Sequence, residues 1–241
     1  MAETCALIAA AGRGTRAGLP YPKTLFEVQG KPILIRVAEA LLPHADRLVV
    51  LASPDGAAPI RETLERHGIA ADVVIQDEPR GMGHAVLTSA ACPAVASAEH
   101  VLLGWGDIPF FQPATVAAMM QAHRDHGNDL TLASALTDAA YTIVARDEAG
   151  QVVGLTETRE AGLEPAPGER DIGLFVFRRE PMFAVLRQDL PGKFGKGTGE
   201  HGFLYAIAPL AASGHRVEAV PVATELDLVS LNSLGDLKGY I

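Results

Sequence analysis

The run from Leu7 to Arg16 reads Leu-Ile-Ala-Ala-Ala-Gly-Arg-Gly-Thr-Arg, and Pro20-Tyr21-Pro22-Lys23 follows it. An apolar segment gives way to a glycine turn with two arginines, and a lysine set behind a proline closes the loop. A strand that delivers a glycine-rich loop aims backbone N–H groups at phosphate oxygens. Arg16 and Lys23 bring full positive charge to the same place. The chemistry this implies is the handling of a polyphosphate. Gly12-x-Gly14-x-x-Ala17 is a loose match to the dinucleotide-binding fingerprint, but in that motif a helix runs on through the glycines. Here Gly18, Pro20 and Pro22 fall where the helix belongs, and an interior proline costs a helix about 3 kcal/mol. The Gly-x-x-x-x-Gly-Lys-Ser/Thr pattern is absent as well. What remains is an extended loop around a phosphate chain, closed by Lys23.

Further along, Asp107 follows Gly104-Trp105-Gly106 at the end of an apolar run. Mg²⁺ takes oxygen ligands and is held by one or two carboxylates together with substrate phosphates, so a strand-end aspartate facing the loop suits that ion. Gln76 carries an amide able to donate and accept toward a base edge, and Gly81 and Gly83 let the backbone come close to a planar group. His84 reads as a helix-start or packing residue. Glu157 and Asp171 are either solvated acids or acceptors for sugar hydroxyls. Lys193 and Lys196 lie in a glycine-rich stretch, 191–199, that is either a solvated loop or a lid. On its own residues Trp105 reads as packing and Asn232 as a loop asparagine.

The Ala10-Ala11-Gly12-Arg13-Gly14-Thr15-Arg16 signature with Pro22-Lys23 resembles that of the sugar-nucleotide pyrophosphorylases (NTP transferases). Within them it is most similar to the uridylyltransferase domain of the bifunctional N-acetylglucosamine-1-phosphate enzyme. Gln76 to Ala85 resembles that family's base-recognition segment, and Gly104 to Pro109 its Gly-Asp-x-Pro metal segment. The resemblance implies catalytic roles for Arg16 and Lys23. It implies nucleotide contacts at Ala10, Ala11, Gly12, Arg13, Gly14, Thr15, Gln76, Gly81 and Met82. It places the second substrate on Trp105, Gly106, Tyr141, Glu157 and Asp171, and Mg²⁺ on Asp107 and Asn232. Departures are also visible. A Gly-Tyr-Gly-Arg turn in the family is Ala140-Tyr141-Thr142-Ile143 here, an asparagine is Asp171, and a threonine is Met82. The implied reaction joins an NTP, UTP first, to a sugar 1-phosphate with release of pyrophosphate. Cytidylyl transfer to an alcohol phosphate or phosphocholine, guanylyl transfer to molybdopterin, and a silent nucleotide-binding regulator are the alternatives. No hexapeptide repeat is present, so the acetyltransferase activity of the bifunctional relative is not expected.

These groups need a scaffold that brings them together. Apolar, β-branched runs at 4–10, 47–52, 72–76 and 100–104 alternate with helical patterns at 32–42, 57–67, 83–91 and 113–126, with Gly68 and Gly127 as stops. Such alternation implies βαβ units and a parallel sheet that binds ligands at the carboxyl ends of its strands. Strands are expected in the second half at 130–136, 141–146, 152–156, 172–177 and 217–222, and helices at 181–189 and 203–213, with a hairpin turn at 148–151. The fold class is therefore α/β: a Rossmann-like, mostly parallel sheet flanked by helices, of the nucleotide-diphospho-sugar transferase type, with a smaller β-rich part. A single domain is expected over 1–241, with a nucleotide half at about 1–128 and a second-substrate half at about 129–241.

Composition narrows the partners. The formal net charge is −9, which argues against nucleic acid and anionic membranes, since both attract a basic face. Hydrophobic residues make up 48% of the 241, ample for a large core. No run nears the ~20 apolar residues of a membrane span, and no basic leader precedes the first apolar run, so the expected location is the cytoplasm. Cys5 and Cys92 match neither a zinc spacing nor a disulfide framework and read as small buried thiols. The expected partners are a nucleoside triphosphate and a phosphorylated small molecule.

Overall fold

Strand β1 (Thr4–Ala9) is apolar along its length because both of its faces are covered. Its side chains alternate: Ala6 and Ile8 enter one core layer, Cys5 and Leu7 the other. Burial pushes the Cys5 thiol up to about 12, which keeps it protonated and inert. The computed structural model describes residues 3–12 and 18–240. After β1 the chain makes a short ribbon, β2 (Glu27–Val28) with β3 (Lys31–Pro32), and then α1 (Ile33–Leu41). There follow β4 (Arg47–Ala52), α2 (Pro54–Arg66), β5 (Asp72–Ile75), α3 (Met82–Thr88), α4 (Pro93–Ser97), β6 (His100–Trp105) and α5 (Pro113–His126). The remainder comprises β7 (Leu130–Ala140), β8 (Thr142–Arg146), β9 (Val152–Glu157), α6 (Thr158–Ala161), β10 (Ala166–Arg178), α7 (Arg179–Arg187), α8 (Ile207–Ala212) and β11 (Val217–Val220).

Seven strands form the main sheet in the order β11-β7-β10-β6-β1-β4-β5. The expected mostly parallel α/β architecture is what the structure has. The exception is β10, antiparallel to both β6 and β7. Helices α1, α2 and α5 cover one face, with Ile33, Leu34, Ile60, Val116 and Met119 in their layer. Helices α3, α7 and α8 cover the other with Val86, Met182, Phe183, Ile207 and Leu210. Strands β8 and β9 pair as a separate two-stranded sheet. Among the described residues, no helix is long and apolar enough to cross a membrane.

Several boundaries differ from the sequence expectation for identifiable reasons. Helix α2 starts three residues early because Ser53 caps it, its hydroxyl accepting from the Gly56 N–H at 3.2 Å, while Pro54 fits the first helical position. Strand β10 begins at Ala166 rather than at 172. Its early half is polar, but Glu169 is satisfied by Arg146 at 2.8 Å and by Ser134 at 2.6 Å, so those residues pair with β7 despite lacking an apolar pattern. The ladder shifts register between Asp171 and Phe175, where Gly173 takes φ 72°. The expected helix at 203–213 is a 3₁₀ turn, Leu204–Ala206, running into α8.

Away from the carboxyl ends of the parallel strands, a polar chain is buried beside α5. His123 Nε2 lies 3.0 Å from His100 Nδ1, and His123 Nδ1 lies 3.0 Å from Thr131 Oγ1. Burial, and secondarily the facing His100, holds His123 down to about 4. The folded state thus binds this proton later than an unfolded chain does, whose histidine titrates near 6.5. Stability from this site is complete above pH 6.5 and drains as the pH falls toward 4, by up to about 3 kcal/mol. Denaturant unfolding at pH 7.5 and pH 5 should show about 2 kcal/mol of that loss in the parent protein and a flatter pH dependence in His123→Gln.

Candidate active site

The site grows from the carboxyl ends of β1 and β6. Ala9 pairs with Trp105, and beyond that pair the Gly106 N–H donates to the Ala9 carbonyl at 3.0 Å. A Cβ on residue 106 would stand 2.7 Å from that carbonyl oxygen, so only glycine keeps the strand ends zipped there. The next residue, Asp107, is thereby aimed at the loop that leaves β1. Lys23 comes from the 3₁₀ turn Lys23–Leu25, set by Pro22 (φ −55°), whose carbonyl accepts from the Leu25 N–H at 2.9 Å. Its ammonium pairs with the Asp107 carboxylate and also donates to the Leu231 carbonyl at 3.3 Å. The Leu231 N–H in turn donates to the Asp107 carbonyl at 2.8 Å. Asn232 is therefore delivered beside Asp107, and its own N–H is held by Asp236 at 2.9 Å in the capping box that opens the next turn.

Around this cluster lies a cavity of about 560 Å³. One wall carries Ala9, Ala10, Gly12, Lys23, Gly106, Asp107 and Asn232. The opposite wall is α6 with the segment from Gly192 to Tyr205. Glu160 on α6 accepts from the Gly197 N–H at 2.7 Å, which holds its carboxyl below the usual range. That bond ties the 191–199 stretch to α6 within this wall. Lys196 lines the cavity, whereas Lys193 turns back to donate to the Gln188 carbonyl at 3.0 Å. Glu157, at the end of β9, has its carboxyl raised by desolvation and then by the carboxylates of Glu160 and Asp171.

Of the residues singled out by sequence, Ala10, Gly12, Lys23, Met82, Trp105, Gly106, Asp107, Glu157 and Asn232 share this cavity. Arg13, Gly14, Thr15 and Arg16 lie outside the described residues. The others are not among the lining groups. Ala11 lies half-buried between Ala10 and Gly12. Gln76 is buried, and its carboxamide nitrogen donates to the Gly81 carbonyl at 3.2 Å and faces His84 Nδ1 at 3.0 Å. Its amide is engaged within the protein rather than presented to a base. A Cβ on residue 81 would stand 2.5 Å from the His201 carbonyl oxygen, so the close approach that Gly81 permits is to the chain's own 200–202 segment. Asp171 is 1% exposed, accepts from Thr142 Oγ1 and from the Gly173 N–H at 2.8 Å, and is raised by burial. The Thr142 bond fastens β8 to β10, and with the Gly173 bond and its burial it leaves Asp171 no open edge for a sugar. Tyr141 is clamped by Arg170, whose guanidinium lies 3.9 Å from the ring centroid and donates to the hydroxyl. Desolvation, supplemented by the nearby Asp171, Asp107 and Glu157 carboxylates, pushes that hydroxyl up to about 12.

Sequence reasoning missed Glu160, Arg170 and His201. The first two had no signal, since each is a charged residue in a polar run. His201 lies just beyond the glycine-rich stretch and is 4% exposed, with its ring packed where Gly83 has no side chain. Burial, with Lys193 and His84 adding to it, pushes His201 down to about 4, so the ring is neutral at neutral pH.

The donor set suits a small hard cation. Asp107 supplies a carboxylate and Asn232 a carboxamide whose nitrogen is spent on Ser230 Oγ at 2.9 Å, leaving its oxygen for other partners. Thr24 Oγ1 and Trp105 Nε1, both on residues that line the cavity, are buried without partners among the described residues, as is expected of polar atoms that meet a ligand or water. One carboxylate and one amide oxygen match Mg²⁺, which keeps waters and phosphate oxygens in its remaining positions.

A strand-end aspartate and a loop lysine meet at the carboxyl ends of a mostly parallel sheet, an arrangement suited to phosphate and a divalent cation. The chain belongs to the MobA-like NTP transferase family, whose model matches residues 6–191. It is 30% identical over 237 residues to the bifunctional protein GlmU of Heliobacterium modesticaldum, covering 97% of this chain and 50% of that protein. It is 31% identical over 237 residues to GlmU of Kineococcus radiotolerans, covering 96% and 47%. The chain thus spans about half the length of the curated relatives it matches. Its fold is shared with a Bacillus anthracis protein described as a glucose-1-phosphate thymidylyltransferase, solved with a sucrose, at TM-score 0.77 and 13% identity, covering 98% of this chain and 93% of the other. The family read from the Gly12–Lys23 signature is the family found.

Gly106→Ala should drive Cβ into the Ala9 carbonyl and part the strand ends. An overpacked site of this kind costs about 1–3 kcal/mol. Thermal melts should show a lowered midpoint, and turnover should fall further than the stability loss alone explains, because Asp107 is displaced.

Proposed function

We propose that this chain joins a nucleoside triphosphate, UTP first, to a sugar 1-phosphate, N-acetylglucosamine 1-phosphate first, and releases pyrophosphate. The observation that carries the reading is the meeting of Lys23, Asp107 and the Asn232 segment in one cavity at the ends of β1 and β6. The GlmU relatives support the choice of substrates. An oxygen of the acceptor's phosphate attacks the α-phosphorus, the bond from that phosphorus to the oxygen bridging the β-phosphate breaks, and pyrophosphate departs with the electron pair. No side-chain nucleophile is needed, so positioning and charge neutralisation supply the rate.

In this reading Ala10 to Thr15 and Arg16 receive the departing β- and γ-phosphates. Lys23 serves the α-phosphate, where negative charge builds. Asp107 and Asn232 would hold Mg²⁺, which when bound neutralises phosphate charge. Met82 borders the base. Trp105, Gly106, Glu157 and Lys196 face the acceptor, while Tyr141 stays engaged with Arg170. Asp171 supports Thr142 beneath that subsite. A cytoplasmic setting fits these substrates.

A second reading keeps the reaction and changes the partners to CTP and an alcohol phosphate or phosphocholine. It is favoured by the inward-turned amide of Gln76 and the buried carboxylate of Asp171, which remove two polar contacts from the base and sugar sides. A panel of four NTPs against sugar 1-phosphates and alcohol phosphates, followed by pyrophosphate release, separates the two. UTP with a sugar 1-phosphate should be the most active pair. CTP preference with no sugar turnover would overturn the first reading. Tight nucleotide binding with no release from any pair would make the chain a silent binder. With the best pair, Lys23→Ala should lower kcat by about 10²-fold or more while the melting curve stays close to the parent's; near-normal turnover would sink the role given to Lys23.

A further inference from the structure

The Lys23 ammonium occupies the cleft in which the two metal-ligand candidates meet. It pairs with Asp107 Oδ2, and it donates at 3.3 Å to the carbonyl of Leu231, the residue directly before Asn232. The Leu231 N–H closes the ring by donating to the Asp107 carbonyl at 2.8 Å. Asp107 and Lys23 are both mostly shielded, with 17% and 24% of their side chains exposed, so neither charge is given over to solvent. Among the described residues Lys23 is the cation that neutralises Asp107.

We propose that Lys23 is a built-in stand-in for the metal: it bars a divalent cation from Asp107 until nucleotide phosphates draw the ammonium away, so that metal and nucleotide load together. The inference rests on the reading of Asp107 and Asn232 as metal ligands. Its physics is charge competition over a few ångströms. A dication entering the cleft meets the ammonium at close range, where like charges on partly shielded groups repel strongly. It must also share the carboxylate whose Oδ2 the lysine already holds. The phosphate chain of a nucleotide offers the ammonium several anionic oxygens, and moving there frees Asp107 Oδ2. No proton is lost in the exchange; the lysine changes partners as a cation. By linkage, whatever factor the nucleotide adds to metal affinity, the metal adds to nucleotide affinity. With the Asp107 charge balanced by Lys23, an empty site of this design does not hold a free divalent ion.

The test needs no turnover. The purified chain is titrated with Mn²⁺ in the absence of nucleotide, and free Mn²⁺ is read by its electron paramagnetic resonance signal. Parent, Lys23→Met, Lys23→Gln and Asp107→Asn proteins are compared after their melting curves establish that each is folded. Both lysine variants should bind Mn²⁺ at least tenfold more tightly than the parent, and Asp107→Asn should bind no more tightly than the parent. Equal binding by the parent and the lysine variants, with binding still dependent on Asp107 in the double variant Lys23→Met/Asp107→Asn, overturns the stand-in role and leaves the metal reading intact. Binding that is unchanged by the loss of Asp107 in every background overturns the metal reading itself, and the inference with it.

Discussion

One electrostatic contact organises the site: the ion pair between Lys23, in the loop that leaves β1, and Asp107, just beyond β6. Each partner is supplied by a different constraint. Asp107 is aimed by Gly106, which can sit against the Ala9 carbonyl only because it lacks a side chain. Lys23 is aimed by Pro22 and a single 3₁₀ turn. The sheet makes this possible, since parallel strands bring their carboxyl ends to one edge and every loop that leaves them opens on the same side. A charge pair of this kind is of little value as a structural brace. Its use lies in holding a cation and an anion ready at a place where phosphate is to arrive.

The other wall of the cavity obeys different rules. It is built from β9, α6 and the segment around Gly197; Val144 and Val152 anchor β8 and β9 in the apolar core, and polar contacts add to them. Asp171 ties β8 to β10, Arg170 stacks on Tyr141, and Glu160 bridges to Gly197. Polar contacts are directional and easily exchanged for water, so the exposed Glu160–Gly197 tie is the part of this wall suited to adapt to an acceptor, whereas the apolar-backed β1 and β6 wall keeps its shape. The division corresponds to the two tasks of the proposed reaction: a phosphate-handling surface that is common to many substrates, and a recognition surface that differs from one to the next.

The first half of the fold was legible in the sequence because its rules are short-range. Apolar runs became buried parallel strands, and Gly127 at φ 61° ended α5 where the glycine stop indicated. Lys23 and Asp107 could be chosen because a lysine after Pro22 and an aspartate after Gly106 stand out in an acidic chain. The early half of β10 could not be read, since its residues are charged and its pairing with β7 is settled by partners far away, Arg146 and Ser134. The same holds for Gln76 and Asp171. Their residue types suited ligand contacts, but whether a polar side chain faces a cavity or a neighbour depends on tertiary packing. Here His84 and Gly81 engage the first, and Thr142 and Gly173 the second.

The position of β10 between β6 and β7 has a consequence for how the chain is made. Synthesis delivers β1, β4, β5 and β6 early, yet the neighbour that covers the outer side of β6 is one of the last long strands to appear. Until it emerges from the ribosome, β6 presents a row of unpaired amides and carbonyls flanked by Leu102 and Leu103, a surface open to strand addition from other chains. The nascent protein therefore passes through an interval in which the strand that leads to Asp107 is an open sheet edge.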